Sequence, residues 1–451
     1  MATAYISRTP AGVGDLRKWT FSAWVKRCGL GGSQAIISWF GVSASYTTQL
    51  RFDSDNTINF YQYFSGYTAR LATNRVFRDL GAWYHIVAVW DTDNAAAGDR
   101  MKLYVNGVEE TSFATDTNPA LNLDSYANSA NEFTIGSKGA AEYFDGVMAH
   151  VHFCDGQAYA ASDFGETDAT SGIWVAKTGP SVTYGTNGYF LKFASGALGT
   201  DSSGESNDFT VSGTMTNTKD TPDNNFATGN FLDNYYQDAT YTNGNNSINF
   251  ATTGVHTFAT GTIGVETGKW YWEVKPTSGT ITQMTIGITG RYCTANSNVL
   301  GAQTDEFSIY GNNGNILGGG NWSTGTAYAA SYTTNDILGF ALDTTNNKLY
   351  VSKNGAWADG SGSWDSTTFN AAVGDYTIGT PSSTTTGVWL PAFGSWDNTA
   401  SYAMDVNFGN GYFGTTAVSP SESDDAGIGS FEYDVPAGYY ALCTTNLGDQ
   451  S

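Results

Sequence analysis

Residues 335–355 read Asn-Asp-Ile-Leu-Gly-Phe-Ala-Leu-Asp-Thr-Thr-Asn-Asn-Lys-Leu-Tyr-Val-Ser-Lys-Asn-Gly. Apolar residues alternate with small ones over 338–342, and apolar residues alternate with polar ones over 348–352, after a loop of turn-forming residues. A period of two on both sides of a turn predicts a β-hairpin with one buried face. The stretch ends in Asn354-Gly355, a dipeptide that adopts positive φ readily and therefore favours another turn.

The same pattern occurs twice in the chain. Lys-Leu-Tyr-Val, followed closely by an Asn-Gly turn, lies at residues 102–107 and again at residues 348–355, which suggests two similar sandwiches in tandem. The composition agrees, because Gly is abundant at 54 residues, Pro is rare at 9, and no segment keeps a helical apolar period. We therefore predict an all-β chain of two tandem antiparallel β-sandwiches.

The charge and the cysteines exclude several classes of protein. The 42 acidic residues outnumber the 20 basic ones, and a net charge of −22 disfavours nucleic acid as a partner. No apolar run is long enough to span a membrane, and no secretion signal is encoded, so we expect synthesis in a cytoplasm and no membrane insertion. Sparse cysteines in strand-like sequence predict buried free thiols. They are Cys28, Cys154, Cys293 and Cys443.

The first half of the chain resembles a known family. WTFSAWVKR at 19–27, WYHIVAVWD at 83–91, KLYVNGVEE at 102–110 and FTIGS…YFDGVMAHVHFCDG at 133–156 follow the order seen in laminin-G-like, concanavalin-A-type domains. The resemblance implies a jelly-roll sandwich of two curved antiparallel sheets over residues 1–198.

The second half resembles another family. GKWYWEV at 268–274, the hairpin quoted above and VNFG at 406–409 are similar in order and spacing to the SPRY domain, which is also a bent β-sandwich. The resemblance implies a second sandwich over residues 231–413. Residues 199–230 are rich in Gly, Ser, Asn and Asp and are predicted to be a linker, in which 209–211 could form a short docked strand. Residues 414–451 are predicted to form a C-terminal tail with an apolar part that docks.

The whole chain resembles virion structural proteins of marine tailed bacteriophages, which join the same two sandwiches in this order. DSSGESNDFT at 201–210, DTPDNNFAT at 220–228 and VPAGYYALCTTNL at 435–447 carry this resemblance. It implies a virion protein displaying binding modules, either a tail-fibre or appendage adhesin that recognises a host-surface glycan or protein, or a capsid decoration or tail-associated protein that binds other virion proteins. We expect a homo-oligomer in either role.

Patterns that carry catalysis are missing from the sequence. A glycosidase strand needs two carboxylates on one face, but Glu273 has Tyr271 and Lys275 as its same-face neighbours. Glu142 and Asp145 are three residues apart, which would put them on opposite faces of a strand. No Gly-x-Ser-x-Gly elbow occurs, and the four histidines make a Ser-His-Asp triad improbable. We therefore predict that the chain is not an enzyme and has no catalytic residues.

Three aromatic residues are the predicted ligand-binding residues. Trp322, Trp357 and Trp364 lie in Gly- and Ser-rich stretches that the sequence assigns to loops. An aromatic ring in such a loop either stacks on a sugar or anchors a protein partner, or it folds back over its own sandwich. Both interpretations stay open at this point.

Two sets of residues have side chains that could ligate a metal ion. Acidic loops could hold Ca²⁺, although Asp also forms turns by bonding its own backbone. The candidate ligands are Asp53, Asp55, Asp91, Asp93 and Asp99. His150, His152 and Cys154 would share one face of a strand, but this spacing splays the side chains too widely to enclose one ion, so packing is favoured. No other cofactor is expected.

Overall fold

The computed structural model describes residues 3–41, 43, 45–235, 239–251, 254–295, 297–366, 368–396 and 401–450. The chain divides into two compact units, Met1–Asn217 and Thr218–Ser451. Each unit is built mainly from two antiparallel sheets around a core of its own, which confirms the predicted all-β fold class. One short α-helix, α1 (Thr444–Gln450), lies near the C-terminus. Over the described ranges, no helix is both long and apolar enough to cross a membrane.

The first unit contains strands β1 to β16. Their bounds are β1 Tyr5–Arg8, β2 Lys18–Arg27, β3 Gln34–Phe40, β4 Thr47–Phe52, β5 Thr57–Tyr63, β6 Tyr67–Val76, β7 Trp83–Asp91, β8 Met101–Val105, β9 Val108–Glu109, β10 Phe113–Thr117, β11 Phe133–Ile135, β12 Gly146–Asp155, β13 Gly165–Thr167, β14 Trp174–Ala176, β15 Tyr189–Leu191 and β16 Thr210–Ser212. Short 3-10 helices lie at Ala97–Asp99 and Ala161–Asp163. Sheet 1 has the order β10-β6-β5-β4-β3-β11-β1-β16, sheet 2 has the order β15-β12-β2-β7-β8-β9, and β13 pairs with β14.

The core of the first unit lies between sheets 1 and 2. Strand β2 turns Trp19, Phe21, Ala23 and Val25 inward because successive strand side chains point to opposite faces. Trp19 stacks on Trp90 with ring centroids 6.1 Å apart and an interplanar angle of 3°. Its indole N–H donates a 2.9 Å hydrogen bond to Ser125, so this buried polar group is satisfied.

The outer face of sheet 2 is covered by the chain that follows β12. Ala161 and Phe164 pack on Val87, Val89 and Cys154, and Ala176 packs on the ring of a β2 tryptophan. These side chains remove the second apolar face of sheet 2 from water. The outer face of sheet 1 carries polar and aromatic side chains instead, some of them buried, such as Gln49 and Asn59, and some exposed, such as Tyr67.

The stretch predicted as a linker is divided between the two units. Strand β16 pairs with β1, and Phe209 is buried in the first core. Farther along, the N–H of Ala227 donates to the carbonyl of Leu442 at 2.8 Å in the second unit. The apolar residues within this polar stretch therefore bind it to the two sandwiches.

The second unit contains strands β17 to β34. Their bounds are β17 Ala239–Thr242, β18 Ser247–Phe250, β19 Phe258–Thr260, β20 Lys269–Gly279, β21 Met284–Thr289, β22 Glu306–Tyr310, β23 Ile316–Gly318, β24 Asn321–Thr326, β25 Leu338–Asp343, β26 Lys348–Lys353, β27 Ala356–Ala358, β28 Trp364–Ser366, β29 Tyr376–Thr377, β30 Leu390–Ser395, β31 Tyr402–Asn407, β32 Tyr412–Phe413, β33 Thr416–Ala417 and β34 Tyr440–Ala441. Short 3-10 helices lie at Ile281–Gln283 and Pro381–Ser383. Sheet 3 has the order β17-β18-β31-β20-β25-β26-β27-β28, with β29 on β26 and β34 on β20, and sheet 4 has the order β19-β30-β21-β22-β23-β24.

The hairpin predicted from residues 335–355 is present as β25 and β26. Leu342 pairs with Leu349 in the antiparallel register, and Phe340 stacks on Trp272 with ring centroids 5.5 Å apart. Asn354 has φ 51° and Gly355 has φ 81°, which are the positive values expected of the turn that follows β26.

The outer face of sheet 3 is covered by the C-terminal tail. Phe431 and Tyr439 are buried against Tyr271 and Tyr350, whose rings point away from the main core. Strand β34 adds to this contact by pairing in parallel with β20.

Candidate functional site

The outer face of sheet 1 carries the main candidate site. In β4, Leu50 and Phe52 enter the core, so Gln49 and Arg51 point outward. In β5 the same alternation turns Asn59 outward together with two tyrosines of that strand. We call the resulting set the polar face. It comprises Gln49, Arg51, Asp53, Asn59, Tyr61, Tyr63, Tyr67, Arg70 and Glu142.

Arg51 is the central charge of the polar face. Its Nε lies 2.6 Å from Oδ1 of Asp53, and its Nη1 lies 3.1 Å from both carboxylate oxygens of Glu142. Its guanidinium also lies 5.3 Å from the centroid of the Tyr61 ring. Two carboxylates therefore share one cation, which fixes their positions relative to each other.

Amide and hydroxyl groups extend this network. The amide of Gln49 donates to Oε2 of Glu142 at 3.0 Å, and its carbonyl oxygen accepts a bond from the Tyr61 hydroxyl. Burial raises the pKa of Tyr61, so its hydroxyl stays protonated and serves as a donor. The amide of Asn59 donates to Oδ2 of Asp53 at 2.7 Å.

Two exposed rings border the network. Tyr67 is 45 % exposed and Tyr63 is 36 % exposed, and their rings meet edge to face with centroids 5.3 Å apart. The Arg70 guanidinium lies 4.5 Å from the Tyr67 centroid, and its Nε donates to Oδ1 of Asn59 at 3.3 Å. Gln49, Asn59 and Tyr61 are buried, so the accessible part of the polar face consists of the two tyrosine rings beside the partly exposed charged side chains.

The carboxylates of the polar face are held by side-chain nitrogen atoms. Both oxygens of Glu142 and both oxygens of Asp53 lie within ion-pair or hydrogen-bond distance of a side-chain nitrogen. A glycosidase needs one carboxyl group that carries a proton for the leaving group, whereas these oxygens already accept from nitrogen donors. The sequence interpretation of Glu142 also needs correction, because Glu142 has φ 48° and lies in the loop before β12, not in a strand.

A Ser–His pair lies buried on the outer side of sheet 2. Ser22 Oγ is 2.8 Å from Nε2 of His85, and the indole N–H of Trp174 donates to Nδ1 of His85 at 3.0 Å. Since Nδ1 accepts a bond, the ring proton is on Nε2 and points at Ser22. Burial lowers the pKa of His85 to about 3, so it stays neutral. His85 in this tautomer cannot remove the serine proton, and the pair is structural.

The three candidate ligands on β12 do not form a regular row. The register of β12 shifts between Ala149 and His152, and His150 has φ 46°, so the period of two is broken there. His152 is buried with Nδ1 2.9 Å from the Tyr184 hydroxyl, and burial lowers its pKa. Cys154 is buried in the layer that covers sheet 2. His152 and Cys154 are therefore packed in the protein interior, as the packing interpretation predicted.

The predicted calcium ligands lie apart, and each contacts a protein group. The contacts are Asp53 with Arg51 at 2.6 Å, Asp55 with Thr57 Oγ1 at 2.6 Å, Asp91 with Lys18 at 3.7 Å, Asp93 with Arg17 at 4.0 Å and Asp99 with Lys102 at 3.0 Å. Within the part of the chain that the structure describes, no three His, Cys, Asp or Glu residues are grouped to hold a metal ion. Calcium binding stays a prediction.

The three predicted ligand-binding tryptophans have different surroundings. Trp322 lies in β24 and is 42 % exposed. Trp357 lies in β27 and is buried, with its ring 4.9 Å from Phe369. Trp364 is half-buried in β28, where Lys353 Nζ lies 5.5 Å from its ring. The loop assignment was wrong for all three, because the short strands of this unit are built from Gly- and Ser-rich sequence. Trp357 packs over its own sandwich, whereas Trp322 presents its ring to solvent.

Comparison with known families identifies both domains. The model of the concanavalin A-like lectin/glucanases superfamily (Laminin_G_3) matches residues 2–161, and the model of the SPRY domain matches residues 269–375. The chain therefore contains a concanavalin A-like and an SPRY domain, as its sequence resemblance implied. Both domains are folds of the kind that bind ligands or partners. No curated protein sequence matches the chain.

Several solved structures are similar to one domain each. The SPRY domain of human HERC1 is 14 % identical, with 37 % of this chain and 91 % of that chain covered and a TM-score of 0.27. The heptameric SAP-like pentraxin from Limulus polyphemus is 17 % identical, with coverages of 40 % and 87 % and a TM-score of 0.28. The Ruminococcus gnavus IT-sialidase CBM40, bound to α2,3-sialyllactose, is 12 % identical, with coverages of 31 % and 82 % and a TM-score of 0.23.

Proposed function

We propose that this chain is a non-enzymatic adhesin of a bacteriophage virion, displayed on a tail fibre or another appendage, and that its polar face binds a host-surface glycan. The virion context rests on the resemblance of the whole chain to phage structural proteins. The binding role is supported by the two binding-type domains. The observation that carries the proposal is the exposed pair Tyr63 and Tyr67 beside the Arg51 network.

The chemistry of the polar face suits a neutral sugar. Vicinal sugar hydroxyls both donate and accept, so they could add bonds to the second lone pairs of the partly exposed Asp53 and Glu142 carboxylates, which Arg51 holds in place. The C–H face of a sugar ring can stack on Tyr67. An anionic glycan would be repelled at long range by a protein of net charge −22, which favours a neutral ligand.

Binding by variants of the polar face tests this proposal. Tyr67→Ala removes an exposed ring, and Arg70→Ala removes the cation that holds it. An aromatic anchor contributes about 2 kcal/mol or more to an interface, so we expect at least a roughly thirtyfold loss of affinity for host cells with Tyr67→Ala. Phe64→Ala is a matched control, because Phe64 is 52 % exposed in the same hairpin but stacks on Tyr46 at 4.9 Å, away from this network.

The assay uses the purified full chain, host cells, and glycan released from those cells. Unchanged melting temperatures would show that the variants fold. Host attachment that is equal for the wild-type protein, Tyr67→Ala and Arg70→Ala would contradict the proposed site. Binding to other virion proteins, with none to host cells or glycan, would favour the alternative role as a capsid decoration or tail-associated protein.

A further inference from the structure

Three aromatic side chains form a continuous surface at one end of sheet 4. We call Tyr310, Trp322 and Trp396 the aromatic ridge. The ring centroids of Tyr310 and Trp396 are 5.2 Å apart with planes at 34°, and those of Trp396 and Trp322 are 5.1 Å apart with planes at 42°. Each ring is therefore rotated from its neighbour, so that the ridge is a twisted array.

Two of the three ridge residues, Trp396 and Tyr310, are positioned by β-strands. Trp396 directly follows β30, and its backbone N–H donates to the carbonyl of Gln283 at 2.7 Å. Tyr310 is the last residue of β22, and its hydroxyl lies 3.4 Å from the Gln283 side-chain oxygen. A ring presented by a strand is positioned more accurately than one on a long loop, and less conformational entropy is lost when it binds a ligand.

Trp322 contacts the ring of Trp396 but leaves much of its own surface in water. Strand β24 is the edge strand of sheet 4, and five of its six residues are exposed, Trp322 among them at 42 %. A large apolar side chain left in water loses the free energy of burial, and such exposed aromatic surface commonly marks a binding site. The surrounding strand, Asn-Trp-Ser-Thr-Gly-Thr, contains no charged residue.

The edge of β24 is poorly suited to a peptide ligand. A peptide that adds as a strand needs free backbone groups on the edge. Here the side-chain amide of Asn321 donates to the carbonyl of Gly325 in the same strand at 3.2 Å, so the strand is not regularly extended. Gly325 also has φ 65°, which interrupts the extended backbone. The rings, and not the backbone, are therefore the accessible binding feature.

We infer that the aromatic ridge is a second glycan-binding site, specific for neutral oligosaccharides. Sugar rings would stack on Trp322 and Trp396, and the amide of Gln283 with the Tyr310 hydroxyl would bond sugar hydroxyls at the margin. The three rings follow one another with neighbouring centroids 5.2 and 5.1 Å apart, so the row is longer than one sugar ring. This site belongs to the second unit and uses none of the residues of the polar face.

The test uses the native full chain and an array of neutral, sialylated and sulfated oligosaccharides. We expect a neutral oligosaccharide to bind, and Trp322→Ala to weaken that binding at least about thirtyfold. Tyr292→Ala is the control, because Tyr292 is 50 % exposed in the same unit but lies outside the ridge. We also expect the same oligosaccharide to protect Trp322 from oxidation by N-bromosuccinimide in the native chain, as read by peptide mass spectrometry.

Each outcome decides the inference. Failure of every neutral oligosaccharide to protect Trp322, or equal binding by Trp322→Ala and the wild-type protein, would overturn it. Protection of Trp322 by a virion protein alone would overturn it as well and would make the ridge a protein interface. The variant Tyr67→Ala separates the two proposals. If it loses host attachment while the oligosaccharide still protects Trp322, both the polar-face site and the ridge site are supported. If Tyr67→Ala attaches normally to host cells and Trp322 is still protected, the proposal for the polar face is refuted and the proposal for the ridge stands.

Discussion

Glu273 gives the clearest prediction about the stability of the second unit. This carboxylate lies in β20, is completely buried, and accepts backbone N–H bonds from Glu432 at 2.9 Å and Tyr433 at 3.0 Å. The side-chain amide of Asn407 donates a third bond at 3.3 Å. One acidic side chain in the sheet therefore anchors the C-terminal tail through its backbone.

The pKa of Glu273 makes this anchor sensitive to pH. Burial raises the pKa from 4.5 to about 7 and outweighs the N–H donors, which lower it. Between pH 4.5 and 7 the folded chain keeps a proton that the unfolded chain has released. The free energy of unfolding therefore falls as pH rises through this interval, and the loss is complete above pH 7. At 1.36 kcal/mol per pKa unit the loss is about 3 kcal/mol.

The substitution Glu273→Gln removes the titration and keeps the shape of the side chain. One carboxylate oxygen becomes an NH₂ group, so one of the two tail N–H groups loses its acceptor, at a cost of about 1–3 kcal/mol. We expect the stability difference between wild type and Glu273→Gln to shrink by up to about 3 kcal/mol from pH 4.5 to 8. Glu266→Gln is the matched control, because it makes the same chemical change at an exposed position near the same strand.

The assay is urea unfolding at a series of pH values, with hydrogen exchange of tail peptides containing residues 432 and 433 as a local readout. Faster exchange of these peptides in Glu273→Gln would place the effect at the tail. A stability difference that stays constant from pH 4.5 to 8 would refute the reasoning. It would mean that the three N–H donors, and not burial, control the protonation of Glu273.

Two further predictions concern the thiols and calcium. All four cysteines are buried and none is disulfide-bonded, so alkylation of the native chain should be slow, whereas alkylation after unfolding without reductant should modify four thiols in the mass spectrum, and a recovered disulfide peptide would contradict this. A chelator should change the melting temperature little, because the five candidate carboxylates contact protein groups of their own, and a large decrease measured by calorimetry would show that calcium sites exist.

Local patterns in the sequence were sufficient for the hairpin and for the fold class. Strand alternation over 338–342 and 348–352 depends on neighbouring residues alone, and β25 and β26 follow it. Trp357 and Trp364 show where local reasoning fails. Their Gly- and Ser-rich context is typical of loops, but pairing with β26 makes a strand of residues 356–358. At residues 356–358, pairing with the edge of β26 outweighs the low intrinsic strand propensity of Gly- and Ser-rich sequence.

The candidate sites depend on contacts between distant residues. The sequence shows that Gln49 and Arg51 alternate with Leu50 and Phe52. It does not show which sheet has its outer face covered by another segment of the chain. Glu142 reaches Arg51 across 91 residues, and Glu432 reaches Glu273 across 159. Such pairs have no local pattern, so their partners could not be predicted without the structure.

Covering segments bury the second apolar face of several sheets. A sheet that is apolar on both faces must be covered, and the chain that follows β12 does this for sheet 2, as the tail does for sheet 3. Residues near Cys293 and Leu300 cover part of sheet 4 in the same way. Exposed aromatic rings remain at Tyr63 and Tyr67 of the polar face and at Trp322 of the aromatic ridge, the two surfaces that we propose as binding sites. Loss of a covering segment would expose apolar surface and promote aggregation, whereas these exposed rings can vary at little cost to folding.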